Sequence, residues 1–415
     1  MYTNLLDQLK GICEQTLSSV AKLNKSFKKF IIETMICYLS ITGRVNFSQM
    51  ARFSTSCESR FRQNFKKRFD WVKFNTAFTS PSDGHLRAIA IDPCFIPKSG
   101  KKTPGLGYFW SGTANAAKRG LEILGMALVD AVKRTAVFLS ATQTIMDRKP
   151  KKGKSKKGNP DTLLGLYLKA FARHADSFWK LTHLVVADAF FANNTFVAGL
   201  DRLAFDLVSR FRDNIRLRYL YKGSKQKKPG RPKKFDGRVD VDKPRKGVFA
   251  TTTVDDGGIT VSLHYAKLYA VCLKRIVGVV IAVYDDPEKK TQTRKVFFST
   301  DLTLSGEQIY LVYRSRFSIE FLYRDGKQFT SLTGCQARSR KSLNFAFNAS
   351  LTSVNVAKTL AGELGLDLSV ESVKLLIHNA VMIQRIISTF GKSPNLNLNQ
   401  PKLKELLFFG VKNAA

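Results

Sequence analysis

Short apolar runs rich in isoleucine and valine constrain the fold of this chain more than any other feature. Between residues 86 and 211 they read LRAIAID, LEILGMALVDAV, TAVFLSATQT, LVVADAFF and FDLVSRF, and the helical pattern DTLLGLYLKAFARHA interrupts them. Apolar runs of this length and composition are typical of buried strands. Together they predict a mixed α/β sheet with helices packed on it.

Both ends of the chain have helical patterns instead. Near the N-terminus, apolar positions recur every three or four residues in LLDQLKGICEQTL and FKKFIIETMICYL, and near the C-terminus in VKLLIHNAVMIQRIIST. Residues 46–67 fit a helix-turn-helix, with NFSQMARF as the first helix, STS as the turn and CESRFRQNFKKRF as the second. An ordinary basic helix is the alternative interpretation of this segment.

The composition changes between residues 214 and 300. This segment begins with a basic loop and continues as VFATTTVDDGGITVSLHYA and RIVGVVIAVYDD. The Asp-Gly step between two β-type runs is a hairpin signal. The pattern predicts a mainly β insertion that interrupts the α/β sheet.

The charge balance predicts a polyanionic partner. Lysine and arginine number 68 against 32 acidic residues, which gives a formal net charge of +36. Nucleic acid is favoured over a membrane because no apolar run approaches the roughly 18 residues that a spanning helix needs. The N-terminal residues lack the pattern of a signal peptide, so we expect a cytoplasmic protein associated with the chromosome.

Two further classes of site are disfavoured. The sequence has no GxxxxGK[ST] motif, so we expect no nucleotide cofactor. The six cysteines show no CxxC pairing, so neither a zinc module nor a disulfide framework is expected, and reduced, mostly buried thiols are predicted.

Two basic segments are predicted loops that contact DNA. They are RKPKKGKSKK at 148–157 and KGSKQKKPGRPKK at 222–234. The second contains a PGRP sequence that resembles the minor-groove core of an AT-hook, and it includes Arg231, Lys233 and Lys234. The alternative is that both segments are merely solvated loops.

Three acidic residues are candidates for a catalytic site: two aspartates that follow apolar runs and a glutamate on a predicted helix. Asp92 and Asp188 follow apolar runs, and the ends of strands in open sheets are common places for sites, although single aspartates there more often cap turns. A helix is predicted from the cap Ser305 onward. Within it, four polar residues share a face roughly 60° wide between aromatic and aliphatic stripes: Tyr313, Arg316, Glu320 and Lys327. Charges lodged between apolar stripes need partners, which favours a functional site.

The spacing Tyr-x2-Arg-x3-Glu-x6-Lys resembles the signature of DDE transposases of the insertion-sequence-four type. The segments IDPCFIPKSGKK, VVADAFFAN and GRPKKFDGRV are similar to other parts of that family, in the family's order, and the resemblance covers residues 86–358. It implies an RNase H-like fold with Asp92 on the first strand, Asp188 on the fourth and Glu320 on a helix after the insertion. The expected units are a helical N-terminal DNA-binding region (1–82), the catalytic core (83–213 and 301–360), the mainly β insertion (214–300) and a helical C-terminal region (361–415).

The same resemblance implies a function. It assigns catalysis and the binding of two Mg²⁺ ions, replaceable by Mn²⁺, to Asp92, Asp188 and Glu320, and it assigns the DNA end to Tyr313, Arg316 and Lys327. Carboxylates suit this role because hard cations take oxygen ligands. The expected partners are double-stranded DNA, as transposon end and as target, and a second copy of the chain in a homodimer. An inactive DNA-binding descendant and an RNase H-like nuclease acting on branched DNA are the alternatives.

Overall fold

The computed structural model describes residues 5–79, 84–145, 162–223, 232–286, 291–389 and 401–412. Three parts of the sequence-based predictions lie outside these described residues: the basic segment 148–157, residues 224–230 of the second basic loop, and Arg231.

Helices form the N-terminal part, as predicted. They are α1 (Leu5–Ser18), α2 (Lys25–Ser40), α3 (Phe47–Phe53), α4 (Glu58–Asn64) and α5 (Trp71–Thr76). The side chains of Asn24, Asn46 and Asp70 begin α2, α3 and α5 by accepting a hydrogen bond from a backbone N–H of the first turn. The pair α3 and α4 confirms the two helices predicted within 46–67, although the second helix ends at Asn64, earlier than predicted.

One mixed sheet follows. Its strands are β1 (Arg87–Pro97), β2 (Gly107–Ser111), β3 (Ala116–Asp130), β4 (Thr135–Thr144), β5 (Leu184–Val186), β6 (Asp206–Arg210), β7 (Leu217–Leu220), β8 (Phe235–Arg238), β9 (Ala250–Asp255), β10 (Thr260–Ala270), β11 (Arg275–Asp286) and β12 (Thr291–Ser299). The first part of the sheet has the spatial order β4-β3-β1-β5-β6, in which β4, β3 and β1 are antiparallel and β1, β5 and β6 are parallel. The short β2 pairs with the N-terminal end of β3.

The strands between residues 214 and 300 extend this sheet rather than forming a separate one. Strand β12 pairs antiparallel with β6, and the order continues as β12-β11-β10-β7-β8, with β9 also paired to β10. The predicted hairpin is present between β9 and β10, where Gly257 and Gly258 both adopt positive φ angles (69° and 86°). This backbone conformation suits a tight turn and is the reason glycine is favoured there.

Helices cover both faces of the sheet. The remaining helices are α6 (Leu163–Ala172), α7 (Ala175–Trp179), α8 (Asn194–Asp201), α9 (Gly306–Ser315), α10 (Ser318–Gln328), α11 (Arg340–Glu363), α12 (Val370–Thr389) and α13 (Pro401–Phe408). One face packs against α6, α7 and α8. The other packs against α9, α10 and α11, and α1, α2 and α12 belong to the same buried cluster. The N-terminal and C-terminal helices thus share one core with the sheet. None of the helices in the described ranges is both long enough and apolar enough to cross a bilayer.

Buried asparagines on α11 satisfy the outer edge of β4. The side-chain amide of Asn348 exchanges two hydrogen bonds with the backbone of Ala141 (2.9 and 2.8 Å), and that of Asn355 does the same with Phe138 (3.0 and 2.8 Å). An unpaired strand edge would otherwise leave backbone groups without partners in a dry interior. The amides therefore fix α11 against the sheet.

Candidate active site

The two aspartates lie close to the point where β1 and β5 separate. Strand β1 pairs with β5 only at Ile89 and Ala90, and then continues to Pro97 along β3 alone. Asp92 is therefore inside its strand and not at its end, which corrects the expectation from the apolar pattern. The resemblance placed Asp188 on a strand, but β5 ends at Val186 and Asp188 begins the 3₁₀ turn Ala189–Phe191.

Local hydrogen bonds hold Asp188 in this turn. One carboxylate oxygen accepts from the backbone N–H of Phe190 (3.0 Å), and the backbone carbonyl accepts from the hydroxyl of Ser209 (2.8 Å). The capping role expected of a lone aspartate is thus present. Because one carboxylate oxygen suffices for the cap, the group can also act as a ligand.

Glu320 and its neighbours lie on two helices rather than one. The predicted cap is confirmed: Ser305 and Gln308 form a reciprocal capping box at the start of α9. The helix is interrupted at Arg316 and Phe317, and α10 begins at Ser318. A single continuous helix was therefore wrong, although both residues at the break keep α-type backbone angles and the polar face stays aligned.

Arg316 joins two of the three acids. One terminal nitrogen of its guanidinium lies 3.3 Å from Oδ1 of Asp92, and the other lies 2.7 Å from Oε1 of Glu320. The side chains of Arg316 and Asp92 are mostly buried, with 14% and 17% of their surface exposed. The Nε atom of Arg316 is also buried, and it has no hydrogen-bond partner among the described residues.

The charges of Asp188, the third acid, and of Lys327 affect the pKa of the Asp92 carboxyl group. The pKa of Asp92 is raised to about 7, chiefly by burial. The positive charges of Arg316 and Lys327 oppose this rise in pKa, whereas the negative charges of Asp188 and Glu320 add to it. Charges perturb a pKa in this way only at short range. The fold thus brings Asp92, Asp188, Glu320, Arg316 and Lys327 together.

Tyr313 and Lys327 both lie near this cluster. The half-buried ring of Tyr313 contacts that of Phe297 with 4.6 Å between centroids. Burial raises the pKa of the Tyr313 hydroxyl, while the charges of Arg316 and Arg210 lower it. Lys327 is exposed, and its charge opposes the rise that burial causes in the pKa of the Cys94 thiol, the next residue on the same side of β1 as Asp92.

Sequence reasoning missed the contact that supports the backbone of Asp92. The hydroxyl of buried Tyr323, on α10, donates to the carbonyl of Asp92 over 2.6 Å. Gly125 on β3 pairs with Asp92 on β1. A Cβ at this glycine would lie 2.1 Å from the Tyr323 hydroxyl oxygen. An isolated glycine within the apolar run LEILGMALVD was the available signal, because such a glycine often marks a close approach.

The basic loop residues do not join this cluster. Lys233 pairs with Asp236 (2.9 Å) and lies over the ring of Tyr221, and Lys234 is exposed just before β8. Strand β8 is at the far end of the sheet from β1. Contact of these lysines with DNA stays a prediction.

The three acids offer oxygen ligands, but the guanidinium of Arg316 lies between two of them. Within the described ranges, the ligand atoms of His183, Asp206 and Asp301 all lie within 4.8 Å of one another, whereas those of Asp92, Asp188 and Glu320 do not. His183 comes before β5 and Asp188 after it, so this second group lies at the other end of that strand.

A comparison with known families identifies a match over much of the chain. The sequence profile of the DDE superfamily endonucleases matches residues 44–257, which is just over half of the chain. The matched range includes Asp92 and Asp188, while Glu320 lies beyond it. No curated protein matches the chain significantly. A match of this extent, on a mixed α/β fold that gathers the acids, shows that the chain belongs to the family of DDE superfamily endonucleases.

Proposed function

We propose that this endonuclease is a transposase of the insertion-sequence-four type. It binds the terminal inverted repeats of a transposon, cleaves there and transfers the freed 3′ ends to target DNA. The observation that carries the proposal is the convergence of three acids that are far apart in sequence. Arg316 contacts both Glu320 and Asp92, and Asp92 lies 224 residues before it in the chain.

The strand arrangement supports an RNase H-like core. In chain order the strands of the first part of the sheet, apart from the short β2, are β1, β3, β4, β5 and β6. Asp92 then lies on the first of these strands and Asp188 directly after the fourth, while Glu320 lies on a helix after the β-rich segment 214–300. This order agrees with the resemblance except that Asp188 lies just after the fourth strand rather than on it.

The residues present fit a pair of Mg²⁺ ions, which Asp92, Asp188 and Glu320 would hold. Oxygen donors are the ligands that Mg²⁺ prefers. Burial, and then the negative charges of Asp188 and Glu320, raise the pKa of Asp92, so a divalent cation bound here would offset the cost of its charged carboxylate. When bound, two such ions would activate the attacking hydroxyl and stabilise charge on the leaving oxygen. Mn²⁺ would substitute, since it prefers similar ligands.

The cations of the site suit a phosphate. The guanidinium of Arg316 lies against Asp92 and Glu320 and keeps 14% of its side-chain surface exposed, so it could contact a phosphate placed at these acids. Lys327 is exposed near Asp92 and can supply a second charge, while Tyr313 lies near Arg316 and Asp188. These three residues would position the DNA end for the acids.

We further propose double-stranded DNA as end and target, a homodimer that pairs two ends, and a location on the chromosome. The net charge of +36 supports the polyanionic partner. Pairing of two ends supplies the reason for a dimer, because both ends must be joined to one target.

The test compares Asp92→Asn, Asp188→Asn and Glu320→Gln with Asp176→Asn, an exposed acid on α7 on the other face of the sheet. The substrate is DNA from either side of the gene, with any inverted repeats found there. We expect the first three variants to bind this DNA and to lose Mg²⁺-dependent cleavage, and the control to keep both. Cleavage by all three would refute the site.

The products separate the alternatives. Joining of cut 3′ ends to a second duplex identifies a transposase, whereas cutting without joining identifies a nuclease. Binding without nicking, in Mg²⁺ and in Mn²⁺, identifies an inactive DNA-binding descendant.

A further inference from the structure

A cationic groove runs from the N-terminal helices to the candidate active site. Its first part, of about 870 Å³, lies between α3 and α4 on one side and residues 97–103 and 333–338 on the other. The second part, of about 680 Å³, shares Arg44 and Lys98 with the first and ends at Arg119 and Lys327. Lys327 lies on α10, the helix that also carries Glu320, and its charge acts on the carboxyl group of Asp92, so the groove ends close to the acids.

The groove has a strong excess of positive charge. Its lining includes the six cations Arg44, Arg62, Lys98, Arg119, Lys327 and Arg338 and the single acid Glu58. Glu58 is already paired with Arg62 on the same helix. Within the part of the chain that the structure describes, Arg44, Arg119 and Arg338 form no salt bridge. An anion is the missing partner.

Lys98 is the clearest example of this unbalanced charge. Its ammonium group donates to the carbonyls of Thr333 (3.1 Å) and Cys335, so it is held in place by neutral groups. Burial lowers its pKa, and the nearby positive charge of Arg44 lowers it further. Two like charges held together without an acid cost free energy that a bound anion would offset.

The fold fixes both walls of the groove. The backbone N–H of Val45, next to Arg44, donates to the hydroxyl of Ser331 over 3.0 Å. Arg119 projects from the same face of the sheet as Asp92, because Asp92 pairs with Gly125 and side chains alternate along β3. The backbone positions of Arg44 and Arg119 are therefore set before any ligand binds.

We propose that this groove binds the phosphate backbone of a DNA strand and leads it from the α3–α4 helices to the acids of the same chain. The proposal rests on the proposed function and names the path of its substrate. A row of separate cations with few acids suits a polymer of phosphates, whereas a compact anion would need them around one point.

The test measures binding of a random-sequence duplex to the full chain by fluorescence anisotropy over a range of salt concentrations. The variant is Arg44→Glu with Arg119→Glu, and both side chains are exposed. The matched control, Arg173→Glu with Lys180→Glu, makes the same charge change at exposed positions near α7, which packs on the opposite face of the sheet. Circular dichroism verifies that both variants are folded.

We expect the groove variant to bind at least about tenfold more weakly at 100 mM salt, with the slope of log K against log salt smaller by about 2, because each phosphate contact contributes about 0.9. The control should change much less. Equal losses in both variants, or an unchanged slope in the groove variant, would overturn the groove. Failure of the transposase assignment is distinguishable, since Asp188→Asn would then still cleave while the groove variant still lost affinity.

Discussion

Asp92→Asn should make the metal-free protein more stable at alkaline pH, although it removes a group of the active site. The pKa of Asp92 is raised from 3.8 to about 7, chiefly by burial, so the folded state holds a proton that the unfolded chain releases between these values. Stability should therefore fall as the pH rises from about 4 to about 7, and the full cost of the charged carboxylate applies above that range. A displacement of this size corresponds to about 4 kcal/mol.

The net gain is smaller because asparagine also weakens the contact with Arg316. A hydrogen bond to a charged group contributes about 1.5 to 3 kcal/mol, and Glu320 retains its own contact with Arg316 at 2.7 Å. We therefore expect the variant to gain about 1 to 3 kcal/mol in unfolding free energy at pH 8. Near pH 4 the two proteins should differ little, or the variant should be weaker.

The assay is urea unfolding in EDTA at several pH values from 4 to 9, followed by tryptophan fluorescence. Asp301→Asn is the control with the opposite sign. Burial acts to raise the pKa of Asp301, but hydrogen bonds from Thr303 lower it. The charged carboxylate therefore stabilises the fold above about pH 4, and Asp301→Asn should lose stability at pH 8. A less stable Asp92→Asn protein at pH 8, or an unchanged pH dependence, would refute the argument.

Two other substitutions test the supports of the site. Gly125→Ala should displace the Tyr323 hydroxyl from the Asp92 carbonyl, because the new Cβ would lie 2.1 Å from the hydroxyl oxygen. We expect slower cleavage and a loss of about 1 to 3 kcal/mol in the free energy of unfolding. Combining Gly125→Ala with Tyr323→Phe should restore part of the stability, because the clashing oxygen is removed. Asp256→Asn should weaken the contacts of this buried acid with Arg134 (2.8 Å), Arg314 (2.7 Å) and Tyr310 (2.8 Å), which join the β9–β10 turn to the core. Burial acts to raise the pKa of Asp256, but Tyr310 and the two arginines lower it. The stabilisation, about 2 to 4 kcal/mol, should thus be present above pH 4 and fall in more acidic solution. Urea unfolding at pH 7 and below pH 4 measures both effects, and an Asp256→Asn protein as stable as the parent at pH 7 would contradict the second.

Several features were available from local sequence alone. The Ser305 cap, the two helices at 46–67 and the hairpin at Gly257 and Gly258 depend on neighbouring residues, and the structure agrees with each. The pairing of Arg316 with Glu320 follows from their spacing of one helical turn. Interactions within a few residues are set by backbone geometry that every chain shares, so pattern and spacing suffice to predict them.

Other features depend on pairings that no local pattern specifies. The apolar run around Asp92 indicated a strand but gave no sign that β3 would hold it as far as Pro97 after β5 had separated. The interruption at Arg316 and Phe317 was also hidden, since both residues keep helical angles. Likewise, the composition of segment 214–300 predicted an insertion, but gave no sign that β12 would pair with β6 and extend the sheet.

By itself, the sequence determined the types of element, their order and the identity of the acids that could act together. The tertiary structure alone decided that Arg316 would lie against an aspartate 224 residues away, that Tyr323 would pass over Gly125, and that α3 and α4 would line one wall of a cationic groove. The reason is that such contacts depend on which strands pair and which faces pack, and these choices are made by the free energy of the whole core rather than by any one segment.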